Sequence, residues 1–160
     1  MNAEPLQKRN CGEVESIKRR LSFIREPCVR AVLLFGSKAR GESGDRSDVD
    51  LLVLHEGCGI RDAVLRRRHL YNVLREAVGG GADLTVVDME LRCFLNPGEI
   101  SPLLLNIYWD AVVLYDSTGS VECFLRRVRE RITASGLKRV RSGRAYHWVL
   151  PEPLKKVKIL

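Results

Sequence analysis

Two aspartates, Asp48 and Asp50, stand at the start of one apolar run, and the pair Gly36-Ser37 ends the apolar run before it. Side chains two residues apart in a strand point to the same face, so both carboxylates are expected on one face of a strand. Carboxylates this close raise each other's pKa unless a cation lies between them. Because hard oxygen ligands select Mg²⁺ or Mn²⁺, the aspartate pair predicts a site for one of these ions.

The Gly36-Ser37 pair predicts the second half of a reaction site. A glycine allows close approach of the backbone to a ligand, and the neighbouring amides and the Ser37 hydroxyl can hold phosphate oxygens. Lys38 and Arg40 add positive charge beside this turn. Metal-binding carboxylates next to a phosphate-holding turn indicate metal-assisted phosphoryl or nucleotidyl transfer.

A third carboxylate would complete the metal site and accept a proton from the attacking hydroxyl. Asp83, at the start of a later apolar run, is the first candidate, and Asp88 is the second. Because Asp88 lies five residues further on, it should face the opposite side of the strand. The sequence favours Asp83 and leaves the choice between the two open.

The segments around these residues predict alternating strands and helices. Short apolar runs predict strands over residues 28–35, 48–55, 83–89 and 111–115, and amphipathic spacing predicts helices over residues 13–26, 60–78, 101–109 and 120–134. Residues 1–12 are expected to be frayed, and Asp110 and Asp116 are expected to be caps. The pattern indicates an α/β (α+β) domain with a small mixed β-sheet flanked by helices.

The positive charge is concentrated at the end of the chain. The net charge is +7, but residues 126–160 alone carry eleven Lys or Arg against two Glu. We expect a domain over residues 1–136 and a basic extension over residues 137–160, made of a hairpin (residues 138–149) and a tail. This extension is a candidate for contact with nucleic acid or an acidic protein surface, with a solvated face as the alternative. Its charge is expected to lie apart from the reaction site.

Composition excludes some classes of protein. No apolar run approaches the roughly 20 residues that span a bilayer, and the first residues lack the apolar segment of a secretory signal. The five cysteines are widely spaced and odd in number, which indicates thiols in a reducing cytosol. We therefore expect a cytoplasmic protein that does not enter a membrane.

Two runs of residues resemble the minimal nucleotidyltransferase family of the DNA polymerase β-like superfamily. They are Gly36-Ser37-Lys38-Ala39-Arg40-Gly41 and Ser47-Asp48-Val49-Asp50-Leu51, which together give the family pattern of Gly-Ser, ten residues and Asp-x-Asp. Asp83 stands where that family carries its third carboxylate. The resemblance covers residues 28–90 well, and Lys38 departs from it because arginine is frequent there. It implies the nucleotidyltransferase fold and an intact site.

The resemblance also implies a reaction. Mg²⁺ (or Mn²⁺) held by Asp48, Asp50 and Asp83 would position a nucleoside triphosphate, with Gly36 and Ser37 on its β- and γ-phosphates. ATP is the expected donor and pyrophosphate the leaving group. Many family members are antitoxins that transfer AMP to a tyrosine of a HEPN-type toxin, so a protein partner encoded nearby is expected. Two alternatives stay open: a catalytically silent module that neutralises a partner or binds RNA, and a transferase acting on a small molecule or an RNA end.

Overall fold

The computed structural model describes residues 4–44, 47–79, 81, 83–152 and 156–160, with side chains from residue 12 onward. Six strands and six helices follow one another along this part of the chain. In order they are α1 (Glu4–Leu21), β1 (Val29–Phe35), α2 (Gly36–Ala39), β2 (Val49–His55), α3 (Ala63–Val78), β3 (Leu84–Glu90), α4 (Leu91–Leu95), α5 (Pro102–Asp110), β4 (Val112–Asp116), α6 (Val121–Ala134), β5 (Lys138–Ser142) and β6 (Ala145–Val149).

The strands β1 to β4 form one mixed sheet in the order β3-β2-β1-β4. The strand β1 pairs antiparallel with both β2 and β4, whereas β2 and β3 run parallel because α3 carries the chain back between them. The predicted class, a small mixed sheet flanked by helices, is confirmed. The parallel pair matters for the site, because it brings the beginnings of β2 and β3 to the same edge.

Helices cover both faces of the sheet, which explains the nearly continuous apolar runs in β1 and β2. Leu52 and the other buried residues on the same face of the sheet pack against α4, α5 and α6, where Phe94 and Tyr108 are fully buried. On the other face, Leu51 and its neighbours pack against α1 and α3. A fully buried leucine stabilises the fold by about 2 kcal/mol, so these two layers hold the central strands firmly.

The first helix differs from the prediction at both ends. It begins at Glu4, so residues 4–12 are helical and the expectation that they are frayed is wrong, while residues 1–3 lie outside the described residues. Pro5 is compatible with a first turn because its missing N–H would have no helical partner there. At the other end the helix ends at Leu21, and hydrogen-bonded turns follow it before Pro27.

The end of the chain folds back onto the domain. The predicted hairpin is confirmed as β5 and β6, which pair antiparallel around Gly143, and β6 packs against α5. Ile159 is buried against the same core as α6, and its carbonyl oxygen accepts a hydrogen bond from Arg131 (3.3 Å). Val157, Ile159 and Leu160 therefore pack against the core while Lys156 and Lys158 are exposed, and the expectation that this segment is a tail is wrong. The division into a domain over residues 1–136 and an extension stays a prediction.

Candidate functional site

The paired aspartates lie at the beginning of β2. Asp50 is half-buried within the strand, and Asp48 is exposed just before it. Burial, followed by the negative charge of Asp48, raises the pKa of Asp50 above its usual value. A half-buried carboxylate with a second carboxylate beside it is an arrangement that a divalent cation stabilises.

Gly36 lies directly against Asp50. The strand register pairs Phe35 with Asp50, and the chain leaves β1 through Gly36 with a φ of +73°. A Cβ added to Gly36 would collide with Oδ2 of Asp50 and lie 3.1 Å from its Cγ. Only glycine fits both the left-handed backbone and the space, so the turn and the carboxylate form one unit.

The two candidates for the third carboxylate lie on opposite faces of β3. The backbone N–H of Val49 donates to the carbonyl oxygen of Asp83 (2.8 Å), which places Asp83 beside the aspartate pair at the edge of the sheet. Asp88 instead faces α3, where it accepts hydrogen bonds from Arg66 and Arg67 (2.8 Å each). Asp88 is thus held in a buried ion-pair cluster away from Asp48 and Asp50.

Within the described ranges, no three His, Cys, Asp or Glu side chains come close enough to hold one metal ion. The structure therefore brings Asp48 and Asp50 together but does not bring the Asp83 carboxylate into a three-member cluster with them. The half-buried Asp50 with its raised pKa fits a divalent ion as a partner of Asp48. Asp83, being exposed beside them, stays a predicted ligand.

Thr85 is a site residue that the sequence reasoning missed. It pairs with Asp50 in the parallel register, and its hydroxyl donates a hydrogen bond that favours the ionised form of the Asp50 carboxylate. The signal was available, because Thr85 lies two residues after Asp83 and therefore on the same face of β3. Its role is to orient Asp50 from the side opposite Gly36.

The two predicted phosphate-binding cations are both engaged in ion pairs. Lys38 Nζ donates to the two carboxylate oxygens of Glu13 in α1 (2.9 and 3.1 Å). Arg40 donates from Nε to Glu42 (2.9 Å) and from Nη1 to Asp110 (3.3 Å). Ser37 and Arg40 both line an open pocket, where the Ser37 hydroxyl is placed to meet a ligand.

Asp110 is the centre of a cluster that joins the hairpin to the site. Sequence reasoning expected it to be a cap, and that is wrong: its carboxylate accepts two hydrogen bonds from Arg139 of β5 (2.7 and 2.5 Å) as well as one from Arg40. The Tyr146 hydroxyl of β6 donates to Glu42. These hydrogen bonds from Tyr146 and Arg40 hold the pKa of Glu42 below its usual value.

A pocket of about 670 Å³ lies between the glycine-serine turn and the hairpin. One wall comes from the β1–β2 connection and includes Ser37 and Ser47, and the other carries Arg141 and Arg144. The expectation that the charge of the C-terminal extension lies apart from the site is therefore wrong for these two arginines. The sequence held no signal for this, because the contact depends on how the hairpin packs against α5.

A mixed sheet with an Asp-x-Asp pair at the start of one strand and a Gly-Ser turn at the end of its neighbour defines the nucleotidyltransferase class. Residues 15–96, about half of the chain, match the family model described as "Polymerase beta, Nucleotidyltransferase". The chain therefore belongs to the polymerase beta nucleotidyltransferase family. The match covers Gly36, Ser37, the four candidate aspartates and the strands β1 to β3, whereas β4 lies outside it.

A curated relative and two solved structures are similar to this chain. The relative is the Methanocaldococcus jannaschii protein named "Putative protein adenylyltransferase MJ1305", which is 31% identical over 104 residues, covering 62% of this chain and 67% of the relative. A Sulfolobus solfataricus protein titled a "putative nucleotidyltransferase" has a TM-score of 0.48 at 20% identity, over 72% of this chain and 91% of its own. A structure titled "toxin-antitoxin with AMP-PNP" has a TM-score of 0.46 at 21% identity, over 77% and 91%.

None of the described helices has the length and apolar character needed to cross a bilayer.

Proposed function

We propose that this protein transfers a nucleoside monophosphate, AMP from ATP in the first instance, to a hydroxyl group of a partner protein in the cytoplasm. The proposed acceptor is a tyrosine of a HEPN-type toxin encoded nearby, and pyrophosphate is released. One observation carries the proposal: Asp50, with Asp48 next to it, is packed directly on the Gly36 turn, where no larger residue fits. Family membership and the name of the relative, "Putative protein adenylyltransferase MJ1305", support it.

Each residue has a defined role in the proposed reaction. Asp48 and Asp50, with Asp83, would hold Mg²⁺ or Mn²⁺, which neutralises phosphate charge when it is bound. Ser37 and the backbone at Gly36 bind the β- and γ-phosphates. The acceptor oxygen forms a bond to the α-phosphorus while the bond between the α-phosphorus and the bridging oxygen breaks. Asp83 accepts the proton of the hydroxyl, and the bridging oxygen leaves with pyrophosphate.

Label transfer tests this function. The protein is incubated with Mg²⁺ and each α-labelled nucleoside triphosphate, with and without the product of the neighbouring gene. We expect label from ATP on the partner, and a loss of about a hundredfold or more in Asp48→Asn and Asp50→Asn, since several kcal/mol of charge stabilisation disappear. Glu122→Gln, an exposed carboxylate on α6, is the matched control and should transfer label normally.

The alternatives predict different results. Neutralisation of the partner that survives both aspartate changes would indicate a silent binding module. Label on RNA or on a small molecule, with none on protein, would leave a nucleotidyltransferase with a different acceptor and would refute the protein-modifying part of the proposal.

A further inference from the structure

We infer that the β5–β6 hairpin forms the second wall of the nucleotide site, with Arg141 and Arg144 binding the polyphosphate chain of the substrate. This inference rests on the proposed function, because it assigns the ligand of the same site. It goes beyond the family match, which ends at residue 96 and so leaves the hairpin unassigned.

The pocket is built for an anion. Among the described residues that line it are three arginines, Arg40, Arg141 and Arg144, and one carboxylate, Glu42. Ser37 and Ser47 line the facing wall and offer hydroxyl groups. A volume of about 670 Å³ accommodates a nucleotide-sized ligand. A polyphosphate in this pocket would contact the glycine-serine turn on one side and the hairpin arginines on the other.

Two of the nearby arginines are already neutralised. Arg40 is paired with Glu42 and Asp110, and Arg139 is paired with Asp110. The charges of these two carboxylates are therefore already compensated by Arg40 and Arg139. Arg141 is 3.8 Å from Glu42, a long ion pair, and its side chain is 57% exposed. Counting only the residues that the structure describes, four arginines therefore face two carboxylates, and the excess of positive charge among them lies on the hairpin.

Arg144 lies at the tip of the hairpin. The strands pair up to Ser142 and Ala145, so Gly143 and Arg144 form a two-residue turn, with Gly143 at a φ of +61°. Among the residues that the structure describes, no carboxylate pairs with Arg144, whereas Nε of Arg141 donates to the carbonyl oxygen of Gly143 (3.0 Å). A guanidinium presented in this way can bind phosphate oxygens through two parallel hydrogen bonds.

The hairpin is held firmly enough to position these groups. Trp148 packs edge-on against Trp109 with ring centroids 5.5 Å apart, and its indole N–H donates to Asn106 (2.9 Å). The guanidinium of Arg139 lies over the Tyr146 ring, with Cζ 4.0 Å from the ring centroid. Because these contacts fix the backbone before a ligand arrives, less ordering entropy is lost on binding.

The test measures binding of inorganic tripolyphosphate and of ATP, each with Mg²⁺, by calorimetry. The double variant Arg141→Ala/Arg144→Ala is compared with the control Arg61→Ala/Arg68→Ala. The control removes the same charge from two exposed positions, one just before α3 and one within it. We expect the hairpin variant to bind both ligands about tenfold or more weaker, and the control within about twofold of wild type. AMP binding should change far less, since AMP carries one phosphate.

The outcomes separate this inference from the proposed function. If wild type binds both ligands and the hairpin variant binds them with the same affinity, the role of the two arginines is overturned and the proposed function is left intact. Equal weakening in the hairpin and control variants would show a general effect of net charge and would also overturn it. No wild-type binding of ATP or tripolyphosphate would overturn both. A melting curve of the hairpin variant that matches wild type shows that the fold is kept.

Cys28 and Cys58 form a close pair of thiols. Cys28 is buried just before β1, Cys58 is half-buried just after β2, and their Sγ atoms are 2.8 Å apart. The backbone N–H of Glu56 donates to the carbonyl oxygen of Cys28 (2.9 Å), so the two chain segments are fixed beside each other. We propose that this pair forms a disulfide when the protein meets a thiol oxidant such as a small disulfide or diazene dicarboxamide.

Formation of the S–S bond removes two protons and two electrons from the two thiols, and the oxidant takes up both. Burial, followed by the neighbouring Cys58, raises the pKa of Cys28 to about 12. The more exposed Cys58 is therefore expected to react with the oxidant first, and Cys28 then displaces the oxidant fragment.

Peptide mapping of the oxidised protein tests this pairing. We expect a loss of two hydrogens in intact mass, a linked peptide containing both residues, and continued alkylation of the exposed Cys93 and Cys123. The linked peptide should be absent from Cys58→Ser. A bridge across about 30 residues should raise Tm by roughly 5 to 10 °C. Intact thiols at both positions after oxidation, or linkage only to other cysteines, would overturn the proposal.

Discussion

Replacing Gly36 by alanine tests whether the turn and the Asp50 carboxylate form one unit. Gly36 has a φ of +73°, and the added Cβ would meet Oδ2 of Asp50. Gly41 offers a matched control in the same segment: its φ is +70°, and a Cβ there would meet nothing within 4 Å. Both changes therefore carry the same backbone strain, but only Gly36→Ala also collides with the site.

The expected magnitudes follow from this difference. Left-handed backbone costs a non-glycine residue about 1–2 kcal/mol, so Gly41→Ala should lower the free energy of unfolding by about that amount. Overpacking against a held side chain adds about 1–3 kcal/mol, so Gly36→Ala should cost about 2–5 kcal/mol. Displacement of Asp50 by about 1 Å should also reduce nucleotidyl transfer about a hundredfold, an effect that Gly41→Ala lacks.

Urea unfolding and label transfer, measured on the same protein preparations, give both quantities. The background variant Asp50→Ala removes the carboxylate that the new Cβ would meet. In that background the cost of Gly36→Ala should fall to the cost of Gly41→Ala. Equal costs for the two glycine variants in the wild-type background, or a Gly36→Ala cost that persists without the Asp50 carboxylate, would refute the reasoning.

Three further predictions concern residues that hold the fold around the site. Asp88→Asn should cost about 3–5 kcal/mol near neutral pH, because its arginine partners lose a buried charge. Burial favours a higher pKa for Asp88, but hydrogen bonds from those arginines outweigh it and lower the pKa. The difference in free energy of unfolding between wild type and the variant is therefore present above about pH 4 and should shrink as the pH falls below it. Urea unfolding at a series of acidic pH values measures this difference. An advantage that is unchanged by acid would contradict this. Asp110→Asn should loosen the hairpin and speed tryptic cleavage within β5–β6 about tenfold or more, and an unchanged cleavage rate would show that the cluster does not hold it. Tyr108→Phe removes a buried hydrogen bond to the carbonyl oxygen of Phe94 and should lower the free energy of unfolding by about 1–3 kcal/mol; a neutral effect would mean that another donor replaces it.

Local pattern was sufficient to predict the strands of the sheet and the neighbouring positions of Asp48 and Asp50 in the candidate site. The apolar runs in β1 and β2 are buried on both faces, so their composition alone marks them as strands, and period-two alternation puts Asp48 and Asp50 on one face. The same rule separated Asp83 from Asp88 by face. The structure agrees for Asp88, which turns to α3 and is neutralised by arginines there.

What could not be predicted depends on contacts between distant parts of the chain. The sequence predicts Asp110 to be a cap because it flanks a short strand, but its partner Arg139 lies 29 residues away. Tyr146 reaches Glu42 across 104 residues, and no local spacing encodes that contact. The roles of Arg40 and Lys38 were likewise decided by carboxylates on other elements, Asp110 and Glu13. Long-range ion pairs therefore set which charges remain available to a ligand.

Transfer of a nucleoside monophosphate at the Asp48–Asp50 site is distinguished from phosphoryl transfer by the position of the label in ATP. The protein and the product of its neighbouring gene are incubated with Mg²⁺ and either α-labelled or γ-labelled ATP. We expect stable label on the partner from α-labelled ATP only, with pyrophosphate as the co-product. Label that reaches the partner from γ-labelled ATP would show that this protein transfers a phosphoryl group and not a nucleoside monophosphate.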